Sequence, residues 1–401
     1  MKEPKNTDIS VNVHSRIPND SAICVSIRSV TETGKKSLDN ALALIREVRP
    51  DRNEWSYVWG NGEAAAAIRK EVPVFVAAIN TISPKGHAVD IEGAPIIAPW
   101  MQKFGTPANR CPYMCANNPE DVAARHAQIE KAAEAGLADA VQHDDWFGNG
   151  AMIDWNKVCV CEHCVAGFSE YLGLDVDYKQ YLHARGIYTN RELFERAWKF
   201  QVPLWDDYVR FQERMTIRYL KGLRATVIRV SGGEPAFAVN GNAFQPKARQ
   251  MLPGVVDYLN GEFYDFRPKV LWELAELARG MGVKQIITLV PRTPEETYHT
   301  EELVMKVRRA HAVAYAVGLI PQFPYDVYNG EHPRWFGTWA EYGPEYDKVR
   351  ENRDVFDDYE PTRFREKRGV VEVLSRHKED RKRTVTHRIH EDLTWDMVRD
   401  G

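Results

Sequence analysis

The sequence predicts an α/β protein built as a (β/α)8 barrel, a TIM barrel, with a small β addition at its C-terminal end. Three observations carry that prediction. Short apolar runs of strand length alternate eight times with helical stretches, the pattern of parallel strands joined by crossover helices. No glycine-rich phosphate loop follows the first strand, so an open doubly wound sheet lacks its usual mark. The 401 residues, 44% of them hydrophobic, suffice for one large core, which a barrel with additions fills as well as two ordinary domains would.

Taken in order, residues 22–29 (AICVSIRS) read as the first strand and 37–48 as an amphipathic helix. Residues 54–60 (EWSYVWG) form the second strand, followed by the Ala-rich helix 63–71. The third strand is 74–82 (VFVAAINTI); a loop marked by Pro and Gly runs to Asn118, and 119–136 is helical. Residues 138–143 (ADAVQH) give the fourth strand, which runs into Asp144 and Asp145. A long helical stretch over 192–230 breaks near Pro203, where the ring cannot donate a helix bond. Strands five to eight are 236–240, 255–263, 285–290 and 319–323, with helices at 271–281 and 301–317 between the later ones. From Tyr359 the composition turns highly charged. Two alternating runs there, 369–374 and 384–389, predict a hairpin turning over 377–383. The expected division is therefore a barrel over 1–358 and a charged extension over 359–401. Two strands alone are marginal, so the hairpin should pack on the barrel or on a second copy of the chain, which makes a homo-oligomer one expected state.

Composition excludes several classes. A net charge of −4 gives no basic footprint, so no nucleic-acid partner is expected. No apolar run reaches the roughly 18 residues of a membrane span. The first twenty residues are polar throughout, with no hydrophobic segment of a secretion signal, and the cytoplasm is the default location. Eleven Trp, seventeen Tyr and fifteen Phe are core material first, but their flat apolar faces also suit sugar-binding clefts.

Barrel active sites gather at the C-terminal ends of the strands. That rule selects Tyr57 and Trp59 after strand two, Asn80 after strand three, and His143, Asp144, Asp145 and Trp146 after strand four. Strand five leads to Asn240 and Asn242, strand six to Asn260 and Glu262, and strand eight to Tyr325 and Asp326. Amides that bridge hydroxyls, rings that stack, and carboxylates that move protons together suit a carbohydrate substrate. Each residue also has a bland reading: an Asp capping the next segment, Glu262 paired with Arg267, Trp59 in the core.

Cys159, Cys161 and Cys164 lie in Cys-Val-Cys-Glu-His-Cys, and Cys115 can join them from an earlier loop. Three thiolates within six residues supply three corners of a tetrahedron at little entropic cost, which suits a zinc ion. Four thiolates leave that ion no open position, so the zinc is expected to be structural. Cys111 competes with Cys115 for the fourth corner. The loop spans 111–164.

The run from Asp144 to Leu172, with its cysteines and then Phe168, Tyr171 and Leu172, resembles the acid strand and cysteine loop of family 42 β-galactosidases and related glycosyl hydrolases. Tyr113 to Pro119 is similar to the segment that holds the remaining zinc ligand in that family, and this implies Cys115 rather than Cys111. The segment from Pro324 to Tyr328, with Arg334 and Trp335, is similar to the last barrel loop of uncharacterised relatives. The resemblance covers 110–172 specifically and the rest only as a fold. The family's Asn-Glu acid position is Asp144-Asp145 here, and the run 285–291 ends without the glutamate nucleophile of strand seven. Glycoside hydrolysis is thus implied, but not β-galactosidase activity.

The expected chemistry pairs one strand-four acid, Asp145 ahead of Asp144, with Glu262 across a glycosidic bond. Gly261 is expected to let the backbone approach a ligand. Two other readings stand beside it: a non-catalytic carbohydrate-binding barrel, or a hydrolase or lyase whose catalytic metal is held by His143, Asp144, Asp145 and Glu262.

Overall fold

The computed structural model describes residues 16–27, 37–58, 61–80, 88–97, 112–144, 148–232, 236–290, 300–327 and 335–400. Eight parallel strands follow one another in sheet order. They are β1 (Cys24–Ser26), β2 (Arg52–Ser56), β3 (Val74–Ile79), β4 (Ala140–His143), β5 (Phe237–Val239), β6 (Tyr258–Phe263), β7 (Lys284–Leu289) and β8 (Ile320–Pro321). The ring closes where Cys24 bridges Gln322 in parallel and the Phe323 N–H donates to the Cys24 carbonyl at 2.8 Å. The expected barrel is the observed one.

Helices return the chain between strands: α1 (Leu38–Val48), α2 (Gly62–Arg69), α3 (Pro119–Glu134), α4 (Gly148–Met152), α5 (Glu162–Leu172), α6 (Tyr178–His183), α7 (Asn190–Ala197), α8 (Trp205–Val230), α9 (Pro246–Met251), α10 (Pro268–Met281) and α11 (Glu301–Val317), then α12 (Trp339–Glu351) and α13 (Arg353–Asp357). Their starts follow local chemistry. Ser37 Oγ accepts from the Asn40 N–H at 3.1 Å, and Asn118 Oδ1 accepts from Glu120 with Pro119 at the first helical position. The long helical stretch divides as expected. Phe200 and Leu204 take positive φ between α7 and α8, and Pro203 precedes the restart.

Side chains alternate in and out along the strands, except where a register shift interrupts β2. Cys24, Ala238, Tyr258, Ile286 and Ile320 pack on one another inside the barrel. Val25, Phe75, Val141, Leu259 and Ile287 face outward and share the main core with the helices. The interior is unusually polar in its middle: Asn260 Nδ2 donates to Gln142 at 2.8 Å, and Gln322 Nε2 donates to Asn260 Oδ1 at 2.6 Å. Below that rung, Arg52 pairs with Glu54 at 2.6 Å and donates to the Tyr258 hydroxyl at 3.1 Å, all three side chains buried. Burying such a pair is tolerable because every charge is hydrogen-bonded.

The C-terminal addition is larger than the predicted hairpin. A short ribbon, β9 (Tyr325–Val327) and β10 (Trp335–Phe336), follows the barrel, and a four-stranded antiparallel meander ends the chain. Its strands are β11 (Tyr359–Lys367), β12 (Val370–His377), β13 (Thr384–Ile389) and β14 (Trp395–Asp400). β12 and β13 are the two expected strands. β11 and β14 escape notice because they are edge strands with mostly exposed, charged side chains. Val371, Val373, Val385, Ile389 and Trp395 join the barrel's own core, and Phe364 stacks on Trp272 of α10.

Candidate functional site

Two constellations lie on the βα-loop side of the barrel. The first is the cysteine quartet. Cys115 comes from the loop before α3, Cys159 and Cys161 from the segment after α4, and Cys164 from the first turn of α5. All four sulfurs lie within 4.8 Å of one another, and Cys115 Sγ is 3.6 Å from Cys161 Sγ and 3.5 Å from Cys164 Sγ. A tetrahedron with ~2.3 Å metal–sulfur bonds has edges of about 3.8 Å, so the spacing fits a metal. The chemistry around the sulfurs fits as well. Asn149 Nδ2 donates to Cys115 at 3.3 Å and Cys164 at 3.2 Å, Asn117 Nδ2 donates to Cys164 at 3.3 Å, and the Asn117 N–H points at Cys115. Donors of this kind steady thiolates that a metal holds. Burial pushes the Cys115 and Cys159 thiols up, while their sulfur neighbours, Cys115 first, hold Cys161 far below the usual thiol range. A dication would remove that conflict by favouring the thiolate at every corner. Cys111 lies outside the described residues. Asn149 and Asn117 were missed in the sequence, since an amide carries no ligand signature.

The sulfurs close a lobe of their own. Phe168 packs edge-on to Tyr178 and Tyr208 at 5.0 and 4.8 Å, and Tyr208 Oη donates to the Cys159 carbonyl at 2.6 Å. The aromatic residues after the cysteine run are therefore the packing of this lobe.

The second constellation is the barrel mouth. Asp144 continues the inward alternation of Ala140 and Gln142, its N–H donating to the Ile79 carbonyl at 2.7 Å, and Asn240 continues that of Ala238. The two meet: Asn240 Nδ2 donates to Asp144 Oδ1 at 2.7 Å, and the Tyr57 hydroxyl donates to Asp144 Oδ2. Glu262, half-buried, faces inward two residues beyond Asn260. Thr288 stands beside it in register, and Thr288 Oγ1 and Gln142 Nε2 are buried polar atoms with no hydrogen-bond partner among the described residues. The bland pairing of Glu262 with Arg267 is not the one formed; Arg267 binds Asp265 at 2.6 Å instead.

Several expected site residues turn elsewhere. His143 faces outward and is fully buried, with Nδ1 2.8 Å from the Asp144 carbonyl and Nε2 2.8 Å from the Tyr219 hydroxyl. Burial pushes its pKa down to about 3, so the neutral ring donates to the carbonyl and accepts from Tyr219. It cannot join Asp144 and Glu262 around a metal from there. Asn80 is held by Arg125, which donates to its carbonyl at 2.6 Å and its Oδ1 at 3.1 Å. Asn242 accepts from the Phe244 N–H at 3.1 Å, and Asn260 is committed to the interior rung. Tyr325 packs into the core against Phe336, and burial raises its pKa to about 12; Asp326 beside it is buried with φ +62°. Gly261 serves packing rather than ligand approach: a Cβ there would sit 2.7 Å from the Gly241 carbonyl oxygen. Trp59, Asp145, Trp146 and Tyr328 lie outside the described residues, as does Arg334.

The fold and mouth define a (β/α)8 barrel with inward acids at its open end. The chain matches no protein-family model and no curated protein sequence. Among solved structures it is similar to a β-galactosidase from Bacillus circulans sp. alkalophilus, with a TM-score of 0.53 and 15% identity over 86% of this chain and 57% of that one. A maltogenic α-amylase from Thermotoga neapolitana gives 0.53 and 11% identity over 95% and 94% of the two chains. A family 36 α-galactosidase from Geobacillus stearothermophilus gives 0.50 and 8% over 92% and 47%. The chain thus spans just over half the length of the β-galactosidase it matches. What these likenesses share is the barrel.

Proposed function

We propose that this protein is a glycoside hydrolase that uses Asp144 and Glu262 as its carboxylate pair. The observation that carries the reading is the hold on Asp144, an inward acid at the mouth that accepts from both Tyr57 and Asn240. In this reading Asp144, held by those two donors, serves as nucleophile or as base for water. Glu262, inward from β6, then protonates the leaving oxygen through an oxocarbenium-like transition state. The barrel is of the kind found in the β-galactosidase and α-amylase above, enzymes named for carbohydrate substrates, which supports the class and leaves sugar and linkage to experiment. Asp145, Trp59 and Trp146 enter the proposal from the sequence alone, as neighbouring acid and stacking rings.

In the same proposal the quartet Cys115, Cys159, Cys161 and Cys164 holds a structural zinc. The residues would saturate the ion and stiffen the loops on the mouth side, with no coordination left for water. The deciding experiment is a screen of aryl glycosides and oligosaccharides with the unaltered chain, D144N, E262Q and D145N. Hydrolysis lost in D144N and E262Q, with folding intact and D145N milder, supports the pair. Hydrolysis of nothing across a broad panel, with sugars still bound, would turn the reading to a binding barrel.

A further inference from the structure

Strand β2 carries one residue more than its neighbour matches. Asn53 pairs with Phe75 and Ser56 with Ala77, so three steps along β2 correspond to two along β3. The surplus is a bulge, and it contains Trp55 with φ +57°. A left-handed backbone is a genuine outlier for so bulky a residue and persists only where its surroundings enforce it. Trp55 is 2% exposed.

The bulge decides which way the following residues point. Before it, Arg52 and Glu54 face the interior and Asn53 faces out, pairing with outward Val25 and Phe75. Unbroken alternation would send Ser56 inward and Tyr57 outward. Instead Ser56 lies on the outer side, its Oγ accepting from Asn53 Nδ2 at 2.5 Å, and Tyr57 reaches Asp144 across the mouth. The Trp55 indole N–H then donates to the Tyr57 oxygen at 3.2 Å, which leaves the phenol proton for the carboxylate.

We propose that Trp55 and its bulge are a positioning unit, one inserted residue that turns Tyr57 into the mouth and commits its hydroxyl to Asp144. Bulges beside active sites commonly re-aim a side chain in this way. Tyr57 is then a positioning residue first, whatever contact it also makes with sugar. The consequence for turnover rests on the glycosidase reading; the aiming itself does not.

The test separates the two. The full chain is labelled with 3-fluorotyrosine, and the fluorine resonance of Tyr57 is assigned by its loss in Y57F. D144N should displace that resonance by more than its linewidth. Most of that displacement should persist in W55G, which loses the indole donor but accepts a positive φ, and it should shrink by more than half in W55V, since a β-branched residue does not. W55A serves if W55V does not fold. A Tyr57 resonance indifferent to D144N, or equal responses in W55G and in the valine or alanine variant, overturns the proposal. With any glycoside that is hydrolysed, W55V should lower kcat about tenfold below W55G at similar KM. Absence of hydrolysis in every variant beside the expected fluorine pattern would sink the glycosidase reading and leave the positioning unit standing.

Discussion

The cysteine lobe and the barrel mouth stand on the same side of the protein and are built by opposite means. Three of the four sulfurs come from six consecutive residues, and a fourth is added by one loop. The mouth draws Tyr57, Asp144, Asn240 and Glu262 from four strands spread over some two hundred residues. Asn149 and Asn117 donate to the sulfurs of Cys115 and Cys164, whereas at the mouth Thr288 Oγ1 and Gln142 Nε2 are buried with no partner among the described residues. In the proposed reading the closed site serves stability and the open one, with its fixed charges, serves chemistry.

The sharpest way to break that comparison is to swap the effects. E262Q and D144N should lower kcat by about 10²–10⁴-fold, the range of a lost proton-transfer group, while melting temperature and metal content stay unchanged. Steady-state kinetics beside a thermal melt read both; a metal-depleted or unfolded E262Q would merge the two regions. Next in size, C161S should release about one equivalent of zinc and lower Tm by about 5–10 °C. Elemental analysis and calorimetry measure it. A folded, metal-replete C161S that loses turnover alone would make the lobe catalytic.

A smaller effect probes the packing behind the mouth. Gly261→Ala drives a Cβ into the Gly241 backbone, which must move together with Asn240 and Asn242 on either side. It should destabilise by about 1–3 kcal/mol in urea unfolding. An unchanged midpoint would mean that this seam yields easily.

The smallest effect concerns the far end. His387 is buried under the C-terminal sheet beside Phe356 and Trp395, and burial pushes its pKa down to about 3. The unfolded chain binds that proton near pH 6.5, so its contribution is full above 6.5 and is lost as pH falls toward 3. The H387Q variant should flatten the acid slope of stability by about 1.4 kcal/mol per pH unit relative to the unaltered chain. Parallel slopes would show that His387 stays neutral in neither state or both.

The two regions also differ in how far the sequence reveals them. Cysteine spacing is a local pattern, and the quartet follows from it directly. The order and type of the barrel elements are legible as well, because apolar runs are local; α11 and the start of α1 lie where periodicity puts them. Direction is not. His143 follows the strand as expected but faces α8, because one step of alternation separates it from Asp144. The second strand runs over Arg52–Ser56 rather than 54–60, with the bulge inside it, and no composition signal announces a left-handed tryptophan. The charged edge strands β11 and β14 were hidden for a related reason, since their burial depends on one face of a sheet they themselves complete.

The seam between β1 and β8 has a consequence in time. Cys24 finds Gln322 and Phe323 only after nearly three hundred further residues have been made. At ~5–20 residues per second, a ribosome needs about 15–60 s for that stretch. Throughout it the outer edge of the first strand is an unpaired template that any other extended chain can join. Nascent copies on one message are the nearest such chains, so the late closure leaves this short edge open to them for as long as the rest of the barrel is being made.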